Sequence, residues 1–162
     1  MAATRSQTKD RGAIRLTILG ILEHRDLVLR AVSAACKLVP APRGAAWSDF
    51  QNQVVSAVSE AFNNLVLHAY KGRRDGRVDI IIRPKRTGIE LEIRDWGKGF
   101  DPKAVPTPVL DGLPESGMGL FIMRAFMNVS YRRGRPNLLV LKKRFEETAA
   151  AEGPATTTGE PS

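Results

Sequence analysis

Apolar and polar positions alternate over Ala13-Ile14-Arg15-Leu16-Thr17-Ile18-Leu19, the period of a half-buried strand. From Glu23 to Leu38 the period lengthens. Leu27, Val28, Ala31, Ala34, Ala35 and Leu38 recur at helical spacing, and Pro40 and Pro42 end the run. Ser48 is placed to cap a second, longer helix reaching about Tyr70 and closed by Gly72. Val78 to Arg83 and Ile89 to Arg94 have the length and branching of paired strands, joined by a turn over Pro84 to Gly88. Between Trp96 and Ser116 four prolines interrupt any periodicity, and a loop that long in a compact domain usually carries function. Gly119 to Asn128 reads as a short helix, and Val129 to Arg133 and Leu138 to Phe145 read as a closing pair of strands. This order predicts an α+β fold, a two-layer sandwich with helices on one face of a mixed, mainly antiparallel sheet. Residues 12–145 form its single domain. A mobile polar N-terminus (1–11) precedes it, and an acidic tail (146–162) without large apolar residues follows, with the composition of disorder.

At 162 residues the chain can bury a core without staples, and none is available. A lone Cys36 and two histidines build neither a disulfide nor a structural zinc site. No apolar run is long enough to span a membrane and the N-terminus lacks the apolar stretch of a secretory leader, so a cytoplasmic setting without membrane partners is expected. The net charge of +8 is unevenly placed: the last 17 residues hold four Glu and no Lys or Arg, which leaves +12 on residues 1–145. Basic clusters at Lys71 to Arg74, Arg83 to Arg86, Arg132 to Arg135 and Lys142 to Arg144 favour anionic partners. No nucleic-acid-binding motif accompanies them, so direct nucleic-acid binding is not expected.

Three stretches carry candidate chemistry. On the long helix the apolar stripe is Val54, Val58, Ala61, Phe62, Leu65 and Ala69, and about 100° per residue gathers Glu60, Asn64 and His68 on the other face. In a chain that is 26% charged, residues 51–70 should hold about five charges, yet Glu60 is alone. A carboxylate and a carboxamide one turn apart suit a hard cation or a hydroxyl nucleophile, and equally an ordinary i, i+4 polar pair. The second stretch, Arg94-Asp95-Trp96-Gly97-Lys98-Gly99-Phe100-Asp101, leaves a strand. Its glycines let backbone approach a ligand, and Asp95 can accept from a buried amine such as adenine N6; a glycine turn with a solvated Asp fits the same pattern. In the third, Glu115-Ser116-Gly117-Met118-Gly119-Leu120, a G-x-G run enters an apolar helix whose free N–H groups can receive phosphate. No Walker A motif or nucleophile elbow is present.

Taken in order, Ser59-Glu60-Ala61-Phe62-Asn63-Asn64-Leu65-Val66-Leu67-His68-Ala69-Tyr70, the Arg94 to Pro102 stretch and Ser116 to Met127 resemble the N, G1 and G2 boxes of the GHKL, or histidine-kinase-like, ATPase superfamily. The chain is most similar to the bacterial anti-sigma-factor serine/threonine kinases within it. The resemblance implies a Bergerat fold and an ATP site in which Asn64 holds Mg²⁺ and Glu60 is the base or orienter for the attacking hydroxyl. It further implies that Asp95 reads adenine, that Gly97 and Gly99 line its pocket, that Gly117 and Gly119 belong to the short ATP lid, and that Lys98, Ser116, Met118 and Leu120 are among the nucleotide-binding residues. The implied partners are a sigma factor, which the protein sequesters, and an anti-anti-sigma (STAS-type) antagonist phosphorylated on Ser or Thr; a homodimer is implied too. The alternative is an ATP-binding module that gates a partner without turnover. Two positions depart from the family pattern: Glu115 stands where some members carry an arginine, and Pro136-Asn137 replaces the usual glycine–threonine. Lys98 or Arg124 is then the candidate for the cation near the transferred phosphate.

Overall fold

The computed structural model describes residues 12–41, 43–99 and 118–146. Strand β1 (Ile14–Leu19) leads through a single 3-10 turn (Leu22–His24) into helix α1 (Arg25–Cys36). Helix α2 (Ala45–Asn64) continues into a π-turn (Leu65–Ala69), and strands β2 (Arg77–Lys85) and β3 (Gly88–Asp95) follow. Helix α3 (Met118–Phe126) and strands β4 (Asn128–Arg132) and β5 (Asn137–Arg144) complete the described chain. The sheet order is β1-β2-β3-β5-β4, and all four pairings are antiparallel. The expected α+β sandwich is thus present, without the parallel component that a mixed sheet would have.

Register explains the core. One row across the sheet aligns Leu16, Ile80, Ile93, Leu139 and Tyr131, and the next aligns Ile14, Ile82, Leu91, Leu141 and Val129. These rows pack against Val28, Val32, Val54, Val58, Phe62 and Met123 from the helices. The same phase, extended one row, brings Ile18, Val78, Asp95 and Asn137 into line, so two polar side chains end the core-facing rows at one edge of the helix layer. The opposite face carries Arg83, Glu90, Glu92, Arg94 and Lys142 in a lattice of ion pairs.

Differences from expectation are local and have causes. Helix α2 begins at Ala45, a turn before Ser48, whose N–H donates to Gly44 O at 3.0 Å. There Arg43 stacks its guanidinium 4.3 Å from the Trp47 ring and steadies the first turn. The β2–β3 turn is tighter than Pro84 to Gly88, because Pro84 pairs with Ile89 and Lys85 with Gly88. Pro84 is tolerated in a strand because β1 pairing stops at Ile82, so its missing N–H faces no partner strand. The N-terminal segment 1–11, residues 147–162 of the tail and the loop from Phe100 to Gly117 lie outside the described residues.

Candidate functional site

Helix α2 supplies the first two groups. Glu60 and Asn64 are half-buried on the side opposite the apolar stripe, whose members Val54, Val58, Ala61, Phe62 and Leu65 are all buried. Ser59, next to Glu60, accepts from Arg25 Nη2 at 2.5 Å, which ties α1 to this turn. The start of α3 closes on the pair: a Cβ placed on Gly119 would lie 2.9 Å from Glu60 Oε2 and 3.1 Å from Asn64 Nδ2. A glycine here lets the α3 backbone come this near without displacing either side chain, so the carboxylate, the carboxamide and the first described turn of α3 share one small volume.

After Asn64 the helix widens. Tyr70 N–H bonds to Leu65 O at 3.0 Å, five residues back, and such π-turns concentrate at functional sites. The extra residue delivers the buried Tyr70 ring between Gly20 and Gly76, where a Cβ on either glycine would approach the ring to 2.5 Å. Tyr70 OH donates to Arg77 O and accepts from Trp96 N–H at 3.0 Å; burial pushes this phenol above its usual range. The π-turn also presents Ala69 O, which accepts from Lys98 N–H at 3.0 Å. The predicted row of Glu60, Asn64 and His68 is therefore broken at its third member, since His68 lies within the widened turn and is exposed.

The loop leaving β3 is built around Asp95, 6% exposed. Its Oδ1 accepts from Gly97 N–H and from Asn137 Nδ2, both at 2.9 Å. Gly97 fits beneath Ala69, since a Cβ there would stand 2.6 Å from Ala69 O, and Gly99 takes φ +72°, the left-handed region. Lys98 is fixed by its backbone: its N–H meets Ala69 O, its carbonyl accepts from Arg133 Nη2 at 3.3 Å, and its side chain is exposed. Trp96 packs at the rim under the Arg77 guanidinium, 5.1 Å from the ring centroid.

Glu60, Asn64 and Gly119 are thus gathered at one place, and Asp95, Gly97, Lys98 and Gly99 at another, the two being joined by the π-turn. Met118 begins α3 half-buried. Leu120 puts its side chain in the core, so what it can offer a ligand is a backbone N–H in the first turn. Ser116 and Gly117 lie outside the described residues, as does Glu115. Arg124 lies near the other end of α3, lining a cavity of about 900 Å³ with Asp49, Gln53 and Lys142, away from Gly119. There Lys143 donates to Phe126 O at 2.8 Å, and burial lowers its ammonium pKa. Of the two candidate cations, Lys98 follows Asp95 and Gly97, whereas Arg124 lines this cavity.

Asn137, noted in the sequence only as a departure from the family's glycine–threonine, sits beside Asp95. Its signal was a polar residue in the core-facing phase of an alternating strand, ahead of Leu139 and Leu141.

The donor set fits a nucleotide with a hard cation. Asn64 offers a neutral oxygen, Glu60 a carboxylate, the α3 start backbone N–H groups, and Asp95 an Oδ2 with no hydrogen bond among the described residues, suited to an exocyclic amine. The chain is similar in sequence to known proteins. The histidine kinase-like ATPase domain profile matches residues 22–143. The chain is 35% identical over 101 residues to the anti-sigma F factor of Clostridium beijerinckii, covering 58% of this chain and 71% of that protein. It is 33% identical over 102 residues to the Clostridium botulinum anti-sigma F factor, with the same 58% and 71% coverage. With the Halalkalibacterium halodurans anti-sigma F factor identity is 38% over 84 residues, 49% of this chain and 58% of that one. Among solved structures, the histidine kinase domain of the blue-light activated histidine kinase of Erythrobacter litoralis EL346 superposes with TM-score 0.49 at 16% identity, covering 76% of this chain and 60% of that one. A profile match through α1, α2 and every strand but β1, around a site of this composition, places the chain in the histidine-kinase-like ATPase family, among relatives named anti-sigma F factor.

Proposed function

We propose that the protein is an ATP-binding anti-sigma factor and serine/threonine protein kinase of the cytoplasm. It sequesters a sigma factor and phosphorylates a Ser or Thr of an anti-anti-sigma (STAS-type) antagonist, acting as a homodimer. The observation that carries the reading is the packing of Gly119 onto Glu60 and Asn64. It brings a carboxylate, a carboxamide and the α3 backbone side by side, which supports the chemical half of the reading, and the similarity to anti-sigma F factors supports the regulatory half. Among the described residues no helix is long and apolar enough to cross a membrane.

ATP with Mg²⁺ supplies the transferable phosphoryl group and the charge that compensates its oxygens. Asn64 Oδ1 would hold the cation, Asp95 the adenine amine, and the α3 start with Met118, Gly119 and Leu120 the phosphate oxygens. Glu60 carries the proton chemistry: a carboxylate oxygen takes the proton from the incoming Ser or Thr hydroxyl and orients that oxygen for attack. Lys98 is the cation available for the developing charge.

The test is calorimetric titration with Mg²⁺ and ATP, followed by transfer of labelled phosphate to the antagonist. Wild type should bind with micromolar affinity and transfer, and Asn64→Ala should lose Mg²⁺-dependent binding. Glu60→Gln should keep binding while transfer falls about 10²- to 10⁴-fold. Absence of ATP binding by folded wild type overturns the proposal. One sequence feature favours a second reading, an ATP-binding module that gates its partner without turnover: Glu115 places a negative charge before Ser116. Tight binding with no transfer by wild type selects it.

A further inference from the structure

Asn137 is 1% exposed, and every hydrogen-bonding group it carries is engaged. Nδ2 spends one hydrogen on Asp95 Oδ1 at 2.9 Å and the other on Gly97 O at 3.1 Å, while Oδ1 accepts from Gly134 N–H at 3.1 Å. One side chain therefore joins the end of β3, the loop that leaves it and the turn between β4 and β5. A hydroxyl has a single hydrogen to give and cannot hold both Asp95 and Gly97, whereas a carboxamide can. On Asp95, the bonds from Asn137 and Gly97 N–H converge on Oδ1 and fix the plane of the carboxylate. The second oxygen, Oδ2, has no hydrogen bond among the described residues and is held in a fixed direction.

We propose that Asn137 is a positioning residue for base selection: it aims Asp95 so that the pocket distinguishes a purine bearing an exocyclic amine from one bearing a carbonyl. The inference rests on the ATP reading above. Adenine offers an N–H to Oδ2, while hypoxanthine, the base of ITP, sets a carbonyl oxygen against a carboxylate. A carboxylate locked by two donors cannot swing aside to relieve that contact. If Asn137 is removed, Asp95 turns, and the amine loses its advantage.

Binding of ATP and ITP, each with Mg²⁺, is measured by calorimetry for wild type, Asn137→Ala and Asn137→Thr, with thermal melting to establish folding. Wild type should prefer ATP at least about tenfold, the scale of a hydrogen bond to a charged group. In Asn137→Ala the ratio should collapse toward one, mainly through weaker ATP binding. Asn137→Thr, with one donor kept, should fall between. Equal weakening of both nucleotides in folded Asn137→Ala, or a wild-type ratio in it, overturns the proposal and leaves ATP binding intact. Should Asn137→Ala not fold, an unchanged ratio in Asn137→Thr overturns it as well. A wild type that binds ATP and ITP equally refutes base selection alone, whereas one that binds neither refutes the ATP reading with it.

Discussion

At Gly119, helix propensity and site chemistry pull in opposite directions. An alanine there would favour α3 by about 1 kcal/mol on propensity. Its Cβ, however, would stand 2.9 Å from Glu60 Oε2 and 3.1 Å from Asn64 Nδ2. Both atoms end flexible side chains, so the fold can yield and the site cannot. Gly119→Ala should melt no lower than wild type while ATP binding or phosphotransfer falls tenfold or more, as expected when reacting groups move by about an ångström. Unchanged binding and transfer would show that Glu60 and Asn64 are not held in place by this contact. Residues of this kind were legible in the sequence because they break a statistical habit: Glu60 is the single charge in residues 51–70, and glycines flank the motifs. Asn137 showed only as a departure from the family pattern and a polar residue in a core-facing phase; its role did not, because its partners Asp95 and Gly97 are 42 and 40 residues away, and no local pattern announces a bond of that range.

Among elements, the strands were read closely because a two-residue period fixes which face is buried, and the register bears this out from Leu16 to Tyr131. The end of α2 escaped reading. The π-turn is set by where Tyr70 must go, between Gly20 and Gly76 of other segments, and not by the local run Leu65 to Ala69. The helix-free face of the sheet gives an element-level prediction. Arg83, with its side chain 8% exposed, bonds to Glu92 at 3.0 Å and lies 3.4 Å from Glu90, and these carboxylates are only 13% and 16% exposed. Burial alone would raise the Glu92 pKa, but bonds from Arg83 and Arg94 outweigh it and hold the carboxyl below its usual 4.5. A depressed folded-state pKa adds stability above that value and loses it as pH falls through the folded pKa. Arg83→Met should therefore cost about 2–3 kcal/mol at pH 7, with two half-buried carboxylates stripped of a donor. At a low pH, below the depressed folded-state pKa of Glu92, the deficit should shrink markedly. Denaturant unfolding at the two pH values checks this; an equal deficit at both would mean that Arg83 acts through packing alone.

For the whole molecule, order of elements and order of motifs were legible together, which is why fold class could be read from pattern before any contact was known. Charge was legible as a total and misleading in detail. Arg73, Arg74 and Arg77 make ion pairs with Asp75, Glu23 and Asp79, so clusters that look free in the sequence are partly internal. Pairing lowers the local field and leaves the net excess, +12 on residues 1–145, untouched. That excess acts at long range, on encounter more than on the bound state. The screening length is about 30 Å at 0.01 M salt and about 3 Å at 1 M, shorter than the separation of charges approaching across water. Association with the proposed antagonist, if it is acidic, followed by stopped flow, should slow by about one to three orders of magnitude across that range. Dissociation should change far less, because contacts in a closed interface are screened weakly. An association rate indifferent to salt would mean that the basic body does not steer the partner. The positive charge would then serve internal pairs such as Arg83 with Glu92.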